Sequence, residues 1–407
     1  MTLFTGNVIA QAIPFLAAPL VARLYGAPEF TLFGIMLAVF NLLSVAATGR
    51  YEMAVMLPRQ RDEAAHLLRG GWLVTIVLTM VLFITSMGFR KQLAGIVGVE
   101  QLDGVLIALC LLVAAAGTQV FHQQWLLRER AFKSIALVKV VQALGITAVT
   151  VLLGLLHNDS GLVWGYLAGW ILFAFATWWV VQRIAPVPGR WDRSASVVVL
   201  SKYKDWPLHN LWPSLLNSLA SGAAVLWMSG CFDAEVAGQH NFTRQYILGP
   251  IGMLTVALGQ VLFQRVSAKV HGAQPIRGEL IRIGSWLLLA ALLISIIVTY
   301  AGPWIFALVF GEQWVPAGIM ARTLVWGYAM QLVASPFGVV LLALGRVRVA
   351  MVFPVIYALL MLLPLAFTHI APEQFIILLT VIEVIAYASY VLIVKYHVDR
   401  YEQQLKI

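Results

Sequence analysis

About twelve stretches of roughly 20 mostly apolar residues succeed one another along the chain, the length that carries a helix through hydrocarbon. They lie near 3–22, 30–48, 67–88, 103–126, 134–156, 161–182, 210–231, 236–262, 284–308, 316–342, 349–368 and 373–395. Almost no chain is left over for a domain outside the bilayer. Composition agrees: 61% of residues are hydrophobic and 11% charged, where a soluble domain has about 25% charged. Mean hydropathy is +0.87. The expected fold class is an all-α polytopic membrane protein. Leu3–Ala22 leads directly into further spans and carries no basic residue before Arg23, so it reads as a first transmembrane helix rather than a cleaved signal.

The basic residues test this division independently. With the N-terminus in the cytoplasm, every Lys and Arg except Arg23, Arg90, Lys91, Arg244 and Arg322 falls on the cytoplasmic side. That alternation is the one topogenesis produces, and it places both termini inside. It also accounts for the net charge of +9 without a nucleic-acid partner, for which no basic run or binding module is present. The longest cytoplasmic connection, 185–209, contains Pro186, Pro188 and Pro207 and divides the spans six and six. The expected organisation is a six-helix lobe over 1–184, the linker 185–209, and a second six-helix lobe over 210–407, around a central cavity. Cys110 and Cys231 suggest neither a disulfide framework nor a metal site.

A charge at mid-span costs about 2.5–3.5 kcal/mol on insertion scales, so embedded charges face a cavity or a partner. Arg244 lies two turns into the eighth span, Arg322 two turns into the tenth, and Glu383 near the middle of the twelfth. Arg50 and Glu52 close the second span, after Asn41 in its body, and Arg23 closes the first. Each has a plainer reading. Arg50 and Glu52 fit an interfacial pair, and Arg23 fits a side chain snorkelling to the surface. Arg244 and Arg322 fit interhelical pairs. Glu383 either neutralises an arginine or carries protons. His122, with Gln119, Gln123 and Gln124, forms a polar patch in the fourth span, either cavity lining or interhelical hydrogen bonding. Together the deep arginines suit an anionic substrate, because the guanidinium fork donates paired hydrogen bonds to phosphate.

Four motifs then carry a resemblance: GRYEMAVMLPRQRDEAAHL at 49–67, KYKDWPLHNLWPSLLNSLA at 202–220, LVFGEQWVPAG at 308–318 and SPFGVVLLALGR at 335–346. In this order they resemble the bacterial oligosaccharide flippases of O-antigen, capsule and exopolysaccharide assembly, within the multidrug/oligosaccharidyl-lipid/polysaccharide (MOP) exporter superfamily. The resemblance implies two six-helix lobes that open alternately to each side of the inner membrane. It implies a polyprenyl-diphosphate-linked oligosaccharide as substrate, moved to the periplasmic leaflet, with membrane lipid around it. A polysaccharide polymerase and a chain-length regulator are the partners it suggests. Cationic residues hold the diphosphate in related flippases; by position Arg50 and Arg244 match best and Arg23 less closely, with Arg322 added by its depth. Thr31 replaces the glycine usual after the first periplasmic turn, and Gln239-His240 replaces the Leu-Tyr usual at the start of the eighth span.

No Gly-x-x-x-x-Gly-Lys-Ser/Thr phosphate loop is present. No cofactor is expected, and a proton or sodium gradient is the candidate energy source, with Glu383 and Glu52 the acids to couple it. An ion-coupled multidrug antiporter of the same superfamily is the alternative. An enzyme is not expected, since the short periplasmic loops hold no catalytic constellation.

Overall fold

The computed structural model describes residues 3–89, 102–366 and 370–405. Arg90, Lys91, Glu100 and Lys406 lie outside them. Among the described residues the structure is helical throughout, without a strand. It comprises two compact units, Met1–Gly222 and Ala223–Ile407.

The first unit contains α1 (Leu3–Leu24), α2 (Ala27–Thr48), a 3-10 turn (Tyr51–Met56), α3 (Arg61–Gly88), α4 (Leu102–Arg128), α5 (Phe132–Leu155), α6 (Gly161–Ile184) and α7 (Arg193–Lys202). Helix α8 (Asp205–Cys231) continues into the second unit. Beyond it come α9 (Ala234–Thr243), a π turn (Arg244–Leu248), α10 (Gly249–His271), α11 (Arg277–Phe310), α12 (Val315–Ala334), α13 (Gly338–Ala343), α14 (Val347–Leu360) and α15 (Pro372–Gln404). Ten helices among the described residues are long and apolar enough to cross a membrane. One runs unbroken over Ala234–His271 and includes the π turn. Two further predicted spans meet helices of another kind. Helix α8 has 27 residues but is diluted by Asn210, Ser214, Asn217 and Ser218. Helix α14 has only 14.

Within hydrocarbon, helices gain little from apolar burial against each other, so close packing of small residues takes over. In α6 the glycines Gly161, Gly165 and Gly169 recur every fourth residue and face α5. A Cβ on Gly165 would meet the Thr150 backbone nitrogen at 2.8 Å and its Cα at 2.9 Å. Gly302 of α11 and Gly318 of α12 repeat the device in the second unit, where a Cβ on Gly318 would stand 2.6 Å from the Cα of Pro303.

Acidic side chains satisfy backbone donors at the starts of α2 and α9. Glu29 accepts from the Gly26 N–H at 2.9 Å, and Asp233 accepts from the Val236 N–H at 2.8 Å. The Tyr25 hydroxyl, between α1 and α2, donates to the Thr150 carbonyl at 2.7 Å. Burial, helped by the nearby Glu29 charge, pushes that hydroxyl up to about 12, so it stays a donor.

Two arginines of the helices also clamp the backbone of the connecting segments. The Arg128 guanidinium donates to the carbonyls of Val55 (3.3 Å) and Arg59 (3.3 Å), fixing the 3-10 turn to the start of α3. Arg69 donates to the carbonyls of Pro188 (2.8 Å) and Gly189 (2.7 Å). The linker is therefore ordered: Asp192 caps α7 through the Ser194 N–H at 2.8 Å, Leu200 packs on Gly70 of α3, and Lys202 pairs with Glu63.

Gly165→Ala should lower the melting temperature of the detergent-purified protein, since overpacking costs about 1–3 kcal/mol. Gly252→Ala, where a Cβ meets open space, should leave it unchanged or raise it. Equal melting temperatures for both variants would contradict the close α5–α6 approach.

Candidate functional site

In the first unit the site begins where α2 ends. Gly49 (φ 56°) and Arg50 (φ 63°) are both left-handed. The conformation is cheap for glycine but costs roughly 1–2 kcal/mol for an L side chain. The 3-10 turn beyond it anchors the bend: Ala54 and Val55 are fully buried in a core with Leu67, Leu68, Phe121 and Trp125. Arg50 is thereby aimed at α8, where its Nε and Nη2 donate to the Ser214 hydroxyl at 2.9 and 2.6 Å. Its Nη1 donates to Glu52 at 3.2 Å. A guanidinium has five N–H groups in a planar fork. One hydrogen on each terminal nitrogen remains, the pair that a phosphate would accept from. The Glu52 side chain is only 5% exposed, and its second carboxylate oxygen has no partner.

In the second unit the site surrounds a break in another helix. Pro250 has no N–H to give the Tyr246 carbonyl, and the ladder is re-spaced as the π turn Arg244–Leu248. Half-buried Arg244 opens that turn. Glu383 of α15 is 8% exposed, and one of its carboxylate oxygens lacks a hydrogen-bond partner. Its carboxylate occupies the notch left by Gly327 of α12, which any Cβ would fill. Arg244 lies within electrostatic range of Glu383 and of the buried hydroxyls of Tyr328, Tyr357 and Tyr387. The rings of Tyr357 and Tyr387 are 5.7 Å apart.

The other expected residues stand apart from these two clusters. Arg23 is exposed at the end of α1, Arg322 is exposed on α12, and Asn41 is exposed on α2. His122 is buried against Trp72, with ring centroids 4.7 Å apart. Its Nδ1 meets the Thr118 carbonyl at 2.9 Å, and Gln119 donates to Gln123 at 3.0 Å. These bonds run along α4 at i,i+4 spacing and do not cross to another helix. Gln124 is half-buried on the same helix.

Four contributors escaped the sequence reading. Ser214 is one of many serines and is recognisable only through Arg50. Gln239, one of the family departures, binds the start of α12: its amide donates to the Gln313 carbonyl at 3.0 Å and accepts from the Ala317 N–H at 3.1 Å. Gly327 matters only for Glu383. Lys139 belongs by sequence with the cytoplasmic basic residues, yet it sits two turns into α5, half-buried, donating to Asn7 of α1 at 2.9 Å. Its position inside the apolar 134–156 stretch was the available signal.

Known proteins resemble this chain in sequence and in fold. The family model described as polysaccharide biosynthesis protein matches residues 20–318. A Klebsiella pneumoniae protein, described as an uncharacterized membrane protein in the cps region, is 22% identical over 345 residues, covering 83% of this chain and 69% of that one. Among solved structures, the lipid II flippase MurJ in an inward closed conformation aligns with a TM-score of 0.77 at 12% identity, covering 99% of this chain and 90% of that one. An inward-facing multidrug resistance MATE family transporter of the MOP superfamily aligns with a TM-score of 0.68 at 12% identity, covering 99% and 96%. The chain is thus a multi-pass membrane protein of the polysaccharide biosynthesis protein family, with the fold of the MurJ and MATE transporters.

Proposed function

We propose that this chain is a flippase that moves a polyprenyl-diphosphate-linked oligosaccharide from the cytoplasmic to the periplasmic leaflet of a bacterial inner membrane, by alternating access, for surface polysaccharide assembly. Membership of the polysaccharide biosynthesis family supports the substrate class. The observation that carries the site is Arg50, held by Ser214 and Glu52 with two N–H groups left over. Arg244, beside Glu383, is the second cation. Arg322 and Arg23 are assigned to the approach of the head group, and Asn41, His122 and Gln124 to its polar path. In this proposal the lobes 1–184 and 210–407 move about the connection 185–209, so the hydrogen bonds from Arg50 to Ser214 are made in one state of the cycle and released in the other.

The chemistry derives from charge. The diphosphate must exchange water for fixed donors, and arginine supplies them in pairs. Each of the two arginines is already partly neutralised by a glutamate. An incoming phosphate therefore competes with Glu52 and Glu383, and a proton or sodium ion taken up by the carboxylate frees the arginine. That competition is the proposed coupling. The exposed tail of the lipid needs no protein partner. A polysaccharide polymerase and a chain-length regulator act downstream in this proposal.

The gene deletion should lose surface polymer and accumulate lipid-linked precursor on the cytoplasmic face. Wild type should restore the polymer, whereas Arg244→Ala and Arg50→Ala should each reduce it by about tenfold or more, the worth of a charge-assisted hydrogen bond. Unchanged polymer in the deletion, together with new sensitivity to cationic drugs, would favour the antiporter reading instead.

Glu383→Gln should transport with altered pH dependence when rates are normalised to the protein present in the membrane. Normal transport by this variant at every pH would remove Glu383 from the coupling scheme.

Both termini are assigned to the cytoplasm. A fluorescent protein fused after Ile407 should therefore fluoresce, and alkaline phosphatase inserted after Ser160 should be active. The opposite pattern would reverse the proposed orientation.

A further inference from the structure

A cavity lies in the second unit, lined by neither Arg244 nor Arg322. It runs between α11 and α15 and has a volume of about 400 Å³. Leu280, Gly284 and Leu288 of α11 form one wall, Val394 and Val398 of α15 the other, and Phe337 the floor. The floor and the α15 wall belong to the buried core of the unit, with Phe337, Val394 and Val398 all below a tenth exposed. Leu288 and the neighbouring Ile281 are 46% and 57% exposed, so the slot opens along an apolar, exposed flank of a helix long and apolar enough to cross a membrane. Gly284 keeps it open: its missing side chain would start 3.4 Å from the Phe337 ring.

One end of the slot is charged. Arg277 and Lys395 stand there with a single acid, Asp399. Arg277 is 3.5 Å from Asp399, and exposed Lys395 forms no ion pair among the described residues. Among the side chains that line it, the rim therefore carries two positive charges against one negative, with the nearby Glu402 carboxylate taken up by the Ile276 and Arg277 backbone N–H groups. This arrangement matches a lipid, with an acyl chain along the slot and a phosphate at the rim. Basic pockets between transmembrane helices on the cytoplasmic side recognise anionic head groups in this way.

We infer that the α11–α15 slot binds one anionic phospholipid of the cytoplasmic leaflet, its acyl chain between Gly284 and Val394 and its phosphate on Lys395 and Arg277. Charge complementarity decides the occupant. A zwitterionic lipid fills the slot equally well but gains less at a net positive rim. The site is independent of the translocation reading, and its placement in the cytoplasmic leaflet rests on the proposed orientation of the termini.

The test is native mass spectrometry of the full chain, purified from detergent after equilibration with phosphatidylglycerol and phosphatidylethanolamine. The wild type should retain one phosphatidylglycerol, preferred about fivefold over phosphatidylethanolamine, the effect expected of one surface cation. Lys395→Ala should bring the two lipids close to equal retention. Gly284→Leu should expel both lipids by filling the slot. Wild-type retention and preference in both variants would overturn the assignment. So would displacement of phosphatidylglycerol from the wild type by equimolar polyprenyl phosphate, which would make the slot a substrate-tail site. Lys395 is exposed and outside the core, so its variant carries the test even if Gly284→Leu fails to fold.

Discussion

Hydrocarbon offers no hydrogen bonds, so a span must satisfy its backbone within its own helix, and any break in that ladder needs support from elsewhere. Both candidate clusters of this protein sit at such breaks. In the first unit the ladder of α2 ends in two consecutive left-handed residues, Gly49 and Arg50. In the second it is re-spaced around Pro250 into the π turn that begins at Arg244. A break turns a side chain out of the regular helical stripe. It also leaves carbonyls that attract cations. An arginine at each break is consistent with both effects.

The embedded charges are only tolerable because of what surrounds them. Glu52 lies against Arg50, and Glu383 lies in reach of Arg244. Neither carboxylate is fully satisfied, since each keeps one oxygen without a partner. Removing one member of a buried pair leaves an uncompensated charge, which is strongly destabilising. Substitution of a glutamate alone is thus expected to disturb its arginine as well. Small residues provide the room for this chemistry. Gly327 admits the Glu383 carboxylate to the face of α12, just as Gly165 and Gly318 admit whole helices to close approach.

The spans were legible in the sequence because a helix that crosses hydrocarbon has little freedom in length or polarity. The predicted 161–182 and 134–156 correspond to Gly161–Ile184 and Phe132–Leu155. Depth along a span was legible too, which is why Arg50, Arg244 and Glu383 stood out. Direction around the helix was not. Arg322 and Arg244 lie at similar depths in their predicted spans, yet one is exposed and the other half-buried among tyrosines. At His122 spacing showed only half of the environment: Nδ1 meets the Thr118 carbonyl one turn back, whereas the buried Nε2 has no hydrogen-bond partner among the described residues. The residues that complete each cluster, Ser214 and Gly327, have no mark of their own. A hydroxyl becomes a ligand for arginine only through a contact 164 positions away in the chain, and a glycine becomes a notch only when a carboxylate fills it.

Gln239 shows how a departure from a family pattern can be structural. A leucine at this position could bury apolar surface but could not bridge to backbone. The amide joins α9 to the Gln313 carbonyl and the Ala317 N–H. The Ala317 N–H belongs to the first turn of α12, whose donors have no acceptor within their own helix. Thr243, one turn later, adds a hydrogen bond to the Ala317 carbonyl at 2.9 Å. The segment immediately before the π turn is consequently pinned to α12, whose Gly327 holds Glu383. Arg244 and Glu383 are thus referenced to the same helix from two sides, one through Gln239 and Thr243 and the other through the glycine notch. The geometry between this cation and this acid is therefore set in part by α12, beside the core that Ala237 of α9 shares with Phe375, Leu379 and Ile382 of α15.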